Sequence, residues 1–192
     1  MDKLKKVEEI VKASCLTSKR FKAHKFQWAH VQSVRKFAIE LAKKLNADIE
    51  IVDMAALLHD IGRVRYSHED HEKTSAEDSE KILKELDYPN EFIKKVIRAV
   101  LTHRGSALPE PETTEEKIVA CADAMSHFDN LLTLFYVYMR DFEKTPEEAR
   151  EWTVGKIEKA WRKVCKIPEA KELLEEKYKA AKLIFADKIQ WD

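Results

Sequence analysis

Leu4, Val7, Ile10 and Val11 recur at steps of three and four, so residues 2 to 18 are predicted to form an amphipathic helix ending near Lys19-Arg20. From Trp28 the same spacing runs through His30, Val31, Val34, Phe37, Ala38, Leu41 and Leu45, a second helix that fades at Asn46. Asp48 caps a third, running to Leu58. Residues 62 to 73 have no usable periodicity and read as a loop. Thr74 or Ser75 starts the helix that carries Ile82, Leu83 and Leu86, and Pro89 separates it from one holding Phe92, Ile93, Val96, Ile97, Val100 and Leu101. Thr113, with Glu116 three residues on, reads as a capping box opening a long apolar helix to about Arg140. Pro146 and Pro168 open two more helices. The pattern predicts an all-α protein.

Composition sharpens this picture. The chain has 192 residues, enough for a single domain, which is expected over residues 1–192, with a core over about 20–140 and bracing helices over about 146–187. Only 3 Gly and 5 Pro interrupt a sequence rich in Ala, Leu, Glu and Lys, which argues against a sandwich or barrel. Basic and acidic residues number 35 each, so no global field draws the protein to nucleic acid or to an anionic membrane, and any basic patch is local. Cys15, Cys121 and Cys165 are too far apart for a zinc ribbon or redox motif and read as reduced core thiols. No apolar h-region follows Met1-Asp2-Lys3-Leu4-Lys5-Lys6, and no stretch approaches the roughly 18 apolar residues of a membrane span. A cytoplasmic protein is expected.

Chemistry concentrates at helix ends. His59 and Asp60 close the apolar run Met54-Ala55-Ala56-Leu57-Leu58 and precede Ile61-Gly62-Arg63. His30 lies on the apolar stripe of the second helix, His71 in the 62 to 73 segment, His103 at another helix end, and Asp123 on the helix after Thr113. Imidazole and carboxylate together suit a catalytic divalent ion, Mn, Mg, Fe, Co, Ni or Zn, and the lack of clustered thiolates argues against a structural zinc or iron-sulfur site. The alternative is a satisfied buried polar network without metal. Asp123, Ser126, His127 and Asn130 stand at i, i+3, i+4 and i+7, a polar stripe that would continue as a substrate-binding wall if Asp123 faces an ion.

The order of His30, His59-Asp60 and Asp123, with the blocks Leu57-Leu58-His59-Asp60-Ile61-Gly62-Arg63 and Ala122-Asp123-Ala124, resembles the HD domain superfamily over roughly residues 20 to 140. The resemblance implies a helical bundle, here with additional C-terminal helices, in which those four residues bind one divalent cation. Some members add two histidines to hold a second ion, and His71 and His103 occupy the matching interval. The chain is most similar to small prokaryotic HD hydrolases, some of them nucleotide pyrophosphohydrolases. It lacks the glycine-tyrosine-proline extension of cyclic-dinucleotide phosphodiesterases.

The activity so implied is hydrolysis of a phosphoester or phosphoanhydride in a small phosphorylated substrate, a nucleotide first among them. Asp60 would ligate the ion and help accept the proton of the water; Arg63 and Arg104, each just beyond a proposed ligand, would meet phosphate charge. Arg20, Lys25 and Arg65 are weaker candidates for that role. His24 and His68 read as surface or supporting residues. Two other classes share the resemblance: an HD-type di-iron oxygenase using four His and two Asp ligands, and a non-catalytic ligand-binding domain. Trp28, Phe135, Tyr136 and Tyr138 read first as core aromatics; the run Phe135 to Met139 is also a candidate base-stacking pocket or homodimer face.

Overall fold

The computed structural model describes residues 2–18, 24–66, 69–104 and 109–186, and of residues 24 and 25 the backbone alone. Arg20, His68 and the side chains of His24 and Lys25 therefore lie outside the described residues. Within them the chain forms ten helices and no strand: α1 (Lys3–Thr17), α2 (His24–Leu45), α3 (Ile49–Leu58), α4 (Ile61–Arg65), α5 (His71–Glu85), α6 (Asn90–Thr102), α7 (Thr114–Asp129), α8 (Leu131–Asp141), α9 (Pro146–Val164) and α10 (Pro168–Ile184). None is long and apolar enough to cross a membrane.

The centre of the bundle is α3. Asp48 caps it, its carboxylate accepting from the Glu50 and Ile51 amides, and every residue from Ile51 to Leu58 is buried. Such a helix cannot be amphipathic, so neighbours must cover every face, and α2, α6 and α7 do so. Leu57 and Leu58 are 0% exposed, and truncating either to Ala would cost about 2–5 kcal/mol. A charged tie fixes the edge: Arg35 on α2 donates from Nε and Nη2 to the two Asp53 oxygens on α3 at 2.6 and 3.0 Å, and pairs with Glu8 on α1 at 3.1 Å. The fork geometry locks three helices together through one guanidinium.

Four sequence expectations need correction. The segment read as a loop from residue 62 contains most of α4, a helix of 5 residues that buries Ile61 and Val64 and is too short to display a helical period. The next helix begins at His71 rather than Thr74, because Asp70 takes a left-handed backbone (φ 45°) that turns the chain directly into α5. The long helix after Thr113 breaks at Asn130, which caps α7 at φ −114° and ψ 20°. The capping box is also only half made: Thr113 accepts from the Glu116 amide, but the Glu116 carboxylate takes the Glu112 amide (2.9 Å) and Arg98 Nε (3.3 Å) instead. A complete box forms at Thr145 and Glu148, opening α9.

Gly62 serves packing rather than a turn. A Cβ there would fall inside contact distance of the backbone of Thr74 and Ser75, and the Gly62 amide donates to Ser75 Oγ at 3.0 Å. Only glycine lets α4 lie this close to α5, and that approach brings Arg63 and His71 to the same cleft.

Candidate metal centre

Six side chains from five helices and their ends converge on Asp60. His59 and Asp60 follow the last turn of α3, His30 comes from α2, His71 from the first turn of α5, His103 from the end of α6 and Asp123 from α7. Asp60 is 3% exposed and offers one oxygen to each side. Its Oδ2 lies 3.7 and 3.8 Å from Nε2 of His30 and His59, and its Oδ1 lies 3.3 and 3.7 Å from Nε2 of His71 and His103. Asp123 Oδ1 is 3.5 Å from His30 Nε2. Two triads with ligand spacing result, His30-His59-Asp60 and Asp60-His71-His103.

The backbone decides which ring nitrogens are available. His59 Nδ1–H donates to the Ala56 carbonyl at 2.8 Å and His103 Nδ1–H to the Val100 carbonyl at 2.7 Å, each reaching back into the last turn of its own helix. Ser126 fixes the third ring. Its hydroxyl donates to the Asp123 carbonyl at 2.7 Å, so its oxygen accepts from His30 Nδ1–H at 2.9 Å. Nδ1 of His30 and of His59 is thus engaged, and their Nε2 atoms stand 3.1 Å apart. A shared proton or a shared metal ion would satisfy two ring nitrogens at that distance, and the carboxylates beside them suit the metal ion. The donor set therefore fits a divalent metal.

Electrostatics agree with the geometry. Burial, reinforced by neighbouring His59, lowers both His30 and His103 to about 4, so both rings are neutral and able to ligate. Burial alone would raise Asp60, but His59, Arg63, His71 and His30 outweigh it and hold the carboxyl well below its ordinary range. Asp123 is likewise pushed down against the effect of burial, chiefly by His127 and His30. Both carboxylates are ionised.

A cavity of about 200 Å³ opens on this centre, lined by Asp60, Asp123, His71 and His103 below and by Arg63, Arg104, His127, Lys156, Lys159 and Lys163 around. Arg63 donates to Asp60 Oδ2 at 3.2 Å. Arg104 donates to buried Glu72 at 3.0 Å, which ties the end of α6 to the start of α5. Lys163 donates to the Arg104 carbonyl, bringing α9 to the same rim. Burial lowers Lys156 and Lys163, with Asp123 opposing the shift. Burial and Lys156 take His127 down to about 3, and its Nδ1–H donates to the Ala124 carbonyl at 3.2 Å, so its Nε2 is an acceptor.

The anticipated polar stripe divides. His127 lines the cavity, Ser126 is 0% exposed and orients His30, and Asn130 donates its amide to the Ser126 carbonyl at 2.9 Å. Arg65 is held away from the centre by Asp78 at 2.9 Å and Ser14 at 3.2 Å. The sequence pattern alone does not single out Lys156, Lys159 and Lys163. Their signal is faint: they stand at i, i+3 and i+7 beside the buried stripe Thr153, Ile157, Ala160 and Val164. Only the packing of α9 on α7 aims that edge at the cleft.

A model of the HD domain family matches residues 28–127. Among curated proteins, a tRNA (cytidine(56)-2'-O)-methyltransferase of Thermoplasma volcanium is 34% identical over 144 residues, which is 68% of this chain and 40% of that protein. A Ribonuclease Y of Alkaliphilus metalliredigens is 38% identical over 109 residues, 53% of this chain and 21% of that protein. The chain thus spans less than half the length of these relatives. Among solved structures, Bacillus subtilis YpgQ superposes with a TM-score of 0.69 at 18% identity, covering 95% of this chain and 91% of that one. The same protein in complex with ADP gives 0.64 at 20% identity, covering 93% and 90%. An HD-superfamily hydrolase of Bacillus thuringiensis gives 0.66 at 21% identity, covering 95% and 94%. At these identities the structures establish the shared fold, and the match over residues 28–127, which contains every residue of the centre, places the chain in the HD domain family.

Proposed function

We propose that this chain is a divalent-metal-dependent phosphohydrolase that cleaves a phosphoester or phosphoanhydride of a small phosphorylated metabolite, with a nucleotide as substrate. The observation that carries the reading is the juxtaposition of two imidazole-carboxylate triads sharing Asp60 with a rim of five cations, Arg63, Arg104, Lys156, Lys159 and Lys163. Cations are needed where a polyanionic phosphate must lie beside two ionised carboxylates. That YpgQ, a protein of the same fold, has been captured in complex with ADP supports the choice of a nucleotide.

His30, His59, Asp60 and Asp123 would hold one ion, and His71, His103 and Asp60 a second. A bound divalent ion supplies Lewis acidity toward a phosphoryl oxygen and brings the pKa of a coordinated water toward about 7. The residues do the rest. Arg63 and Arg104 present planar donors to phosphate oxygens, while Lys156 and Lys163 add compact charge from the far wall. Arg63 also keeps Asp60 ionised, which preserves it as a ligand. His127 offers Nε2 as an acceptor at the mouth of the cavity, beside the cations rather than among the ligands.

The test is a screen of purified protein, reconstituted separately with Mn, Mg, Co, Ni, Zn or Fe(II), against nucleoside mono-, di- and triphosphates, simple phosphoesters and a short RNA. Phosphate or pyrophosphate release with at least one ion, absent in Asp60→Ala, is expected. Oxygen consumption with iron and no phosphate release would replace the reading with an oxidative one. Cleavage of the RNA alone would move the substrate from metabolite to polymer.

A further inference from the structure

Beyond the rim of cations lies a second cavity, about 560 Å³, whose wall is of a different kind. Tyr138 of α8 and Trp152 of α9 stack face to face, ring centroids 4.2 Å apart and planes 5° from parallel, and Phe142 lies 5.2 Å from Tyr138. Phe26 of α2, Leu134 and Val137 complete an apolar lining. Two groups interrupt it, Asp141, whose carboxylate accepts from Arg140 Nε at 3.1 Å, and Gln27. Gln27 lines this cavity, is 1% exposed, and its Oε1 has no hydrogen-bond partner. A buried carbonyl without a donor costs free energy that nothing nearby offsets, so the cavity asks for a ligand N–H or O–H at that point.

The two cavities are continuous in their walls. Arg63, His127 and Lys156 line both, and His30 reaches this one from the metal side. A ligand filling both must carry phosphate at one end and, at the other, a flat apolar body with a hydrogen-bond donor on its edge. A sugar phosphate would leave the aromatic wall unmatched, and an acyl chain would leave Gln27 unsatisfied. Purines and pyrimidines meet both demands, since every common base pairs two π-faces with an edge N–H.

We infer that this cavity is the nucleoside subsite of the cleft: the base packs against the Tyr138 and Trp152 wall, an edge N–H donates to Gln27 Oε1, and the phosphates run past Arg63 and Lys156 toward Asp60. The inference rests on the phosphohydrolase reading for the identity of the far end, and it adds what holds the near end. Gln27 and Trp152 are specificity residues here, acting on affinity for the base and remote from the reacting phosphorus.

Equilibrium titration separates the two readings, because it needs no turnover. Metal-loaded protein is titrated with the α,β-methylene diphosphates of adenosine, guanosine, cytidine and uridine, and with methylenediphosphonate as the probe that lacks a base. At least one nucleotide should bind about tenfold or more tighter than methylenediphosphonate and quench tryptophan fluorescence. Gln27→Met, near in volume but with no carbonyl, should weaken that nucleotide about tenfold. Trp152→Ala should weaken it about 10- to 100-fold, with methylenediphosphonate moving less than about twofold in either variant. Trp152→Phe keeps an aromatic wall and should abolish the quench while retaining most of the affinity. The subsite is overturned if none of the four nucleotides outbinds methylenediphosphonate, or if the variants weaken both probes alike. Phosphate release from a nucleotide with affinity indifferent to Gln27 and Trp152 sinks the subsite and leaves the hydrolase; base-dependent binding with no hydrolysis of any substrate does the reverse.

Discussion

The inner wall of the cleft, on α2, α3, α5, α6 and α7, is buried and bonded into single orientations, with carbonyls and a serine fixing three imidazoles. The outer wall, on α8 and α9, carries half-buried lysines and stacked aromatics. The first falls within the stretch that matches the HD domain family, residues 28–127, and the second lies beyond it. The candidate metal ligands thus lie in the stretch shared with a family, whereas the surface that would meet a substrate is built from the part of the chain that the family pattern leaves open. Chemistry and recognition are carried by separable segments, and substitutions should sort accordingly.

Asp60→Ala is the severest way to probe the inner wall. It removes the one residue common to both triads, and activity should fall about 1000-fold or more, with metal content measured by elemental analysis dropping alongside. Retained metal and turnover would erase the distinction between the walls at its root. Ser126→Ala is milder: it touches no ligand atom directly but frees the His30 ring, and metal affinity should weaken about 10- to 100-fold. Competition with a chelating dye measures this, and unchanged affinity would show that the ring is fixed by packing alone. Lys156→Ala probes the outer wall. It should raise KM for the phosphorylated substrate roughly tenfold, leave metal content intact and flatten the salt dependence of KM. A fall in metal content instead would join the two walls into one. The smallest effect is a matter of access: an alkylating reagent should modify exposed Cys165 at the end of α9, while buried Cys15 and Cys121 react only after unfolding, as peptide mass spectrometry would reveal.

What was legible in the chain follows the same division. His30, His59, Asp60 and Asp123 could be read because His30 lies on an apolar stripe, His59 and Asp60 close an apolar run, and the order of the four with their flanking blocks resembles the HD domain superfamily. The α3 cap at Asp48 and the helix starts at Pro146 and Pro168 were legible for a local reason, since capping chemistry is complete within a turn. The break at Asn130 was not, because Leu131 and Leu134 continue the apolar period while the chain changes direction around α9. Nor was α4, whose existence depends on Gly62 meeting Thr74 and Ser75. Lys156 and Lys163 look in sequence like any solvated lysine; a tertiary contact alone turns a surface stripe into the side of a cleft. The run from Phe135 to Met139 shows both outcomes at once. Phe135 packs against the core, while Tyr138 stacks on Trp152 at the cavity.

Asp60 gives one oxygen to each triad, and a carboxylate is rigid. Turning it to suit an ion on the His30 side swings the opposite oxygen by the same angle on the His71 side, so the two triads work like the pans of one balance. Were both triads to hold ions, retuning one of them by redesigning its neighbours would be felt at the other.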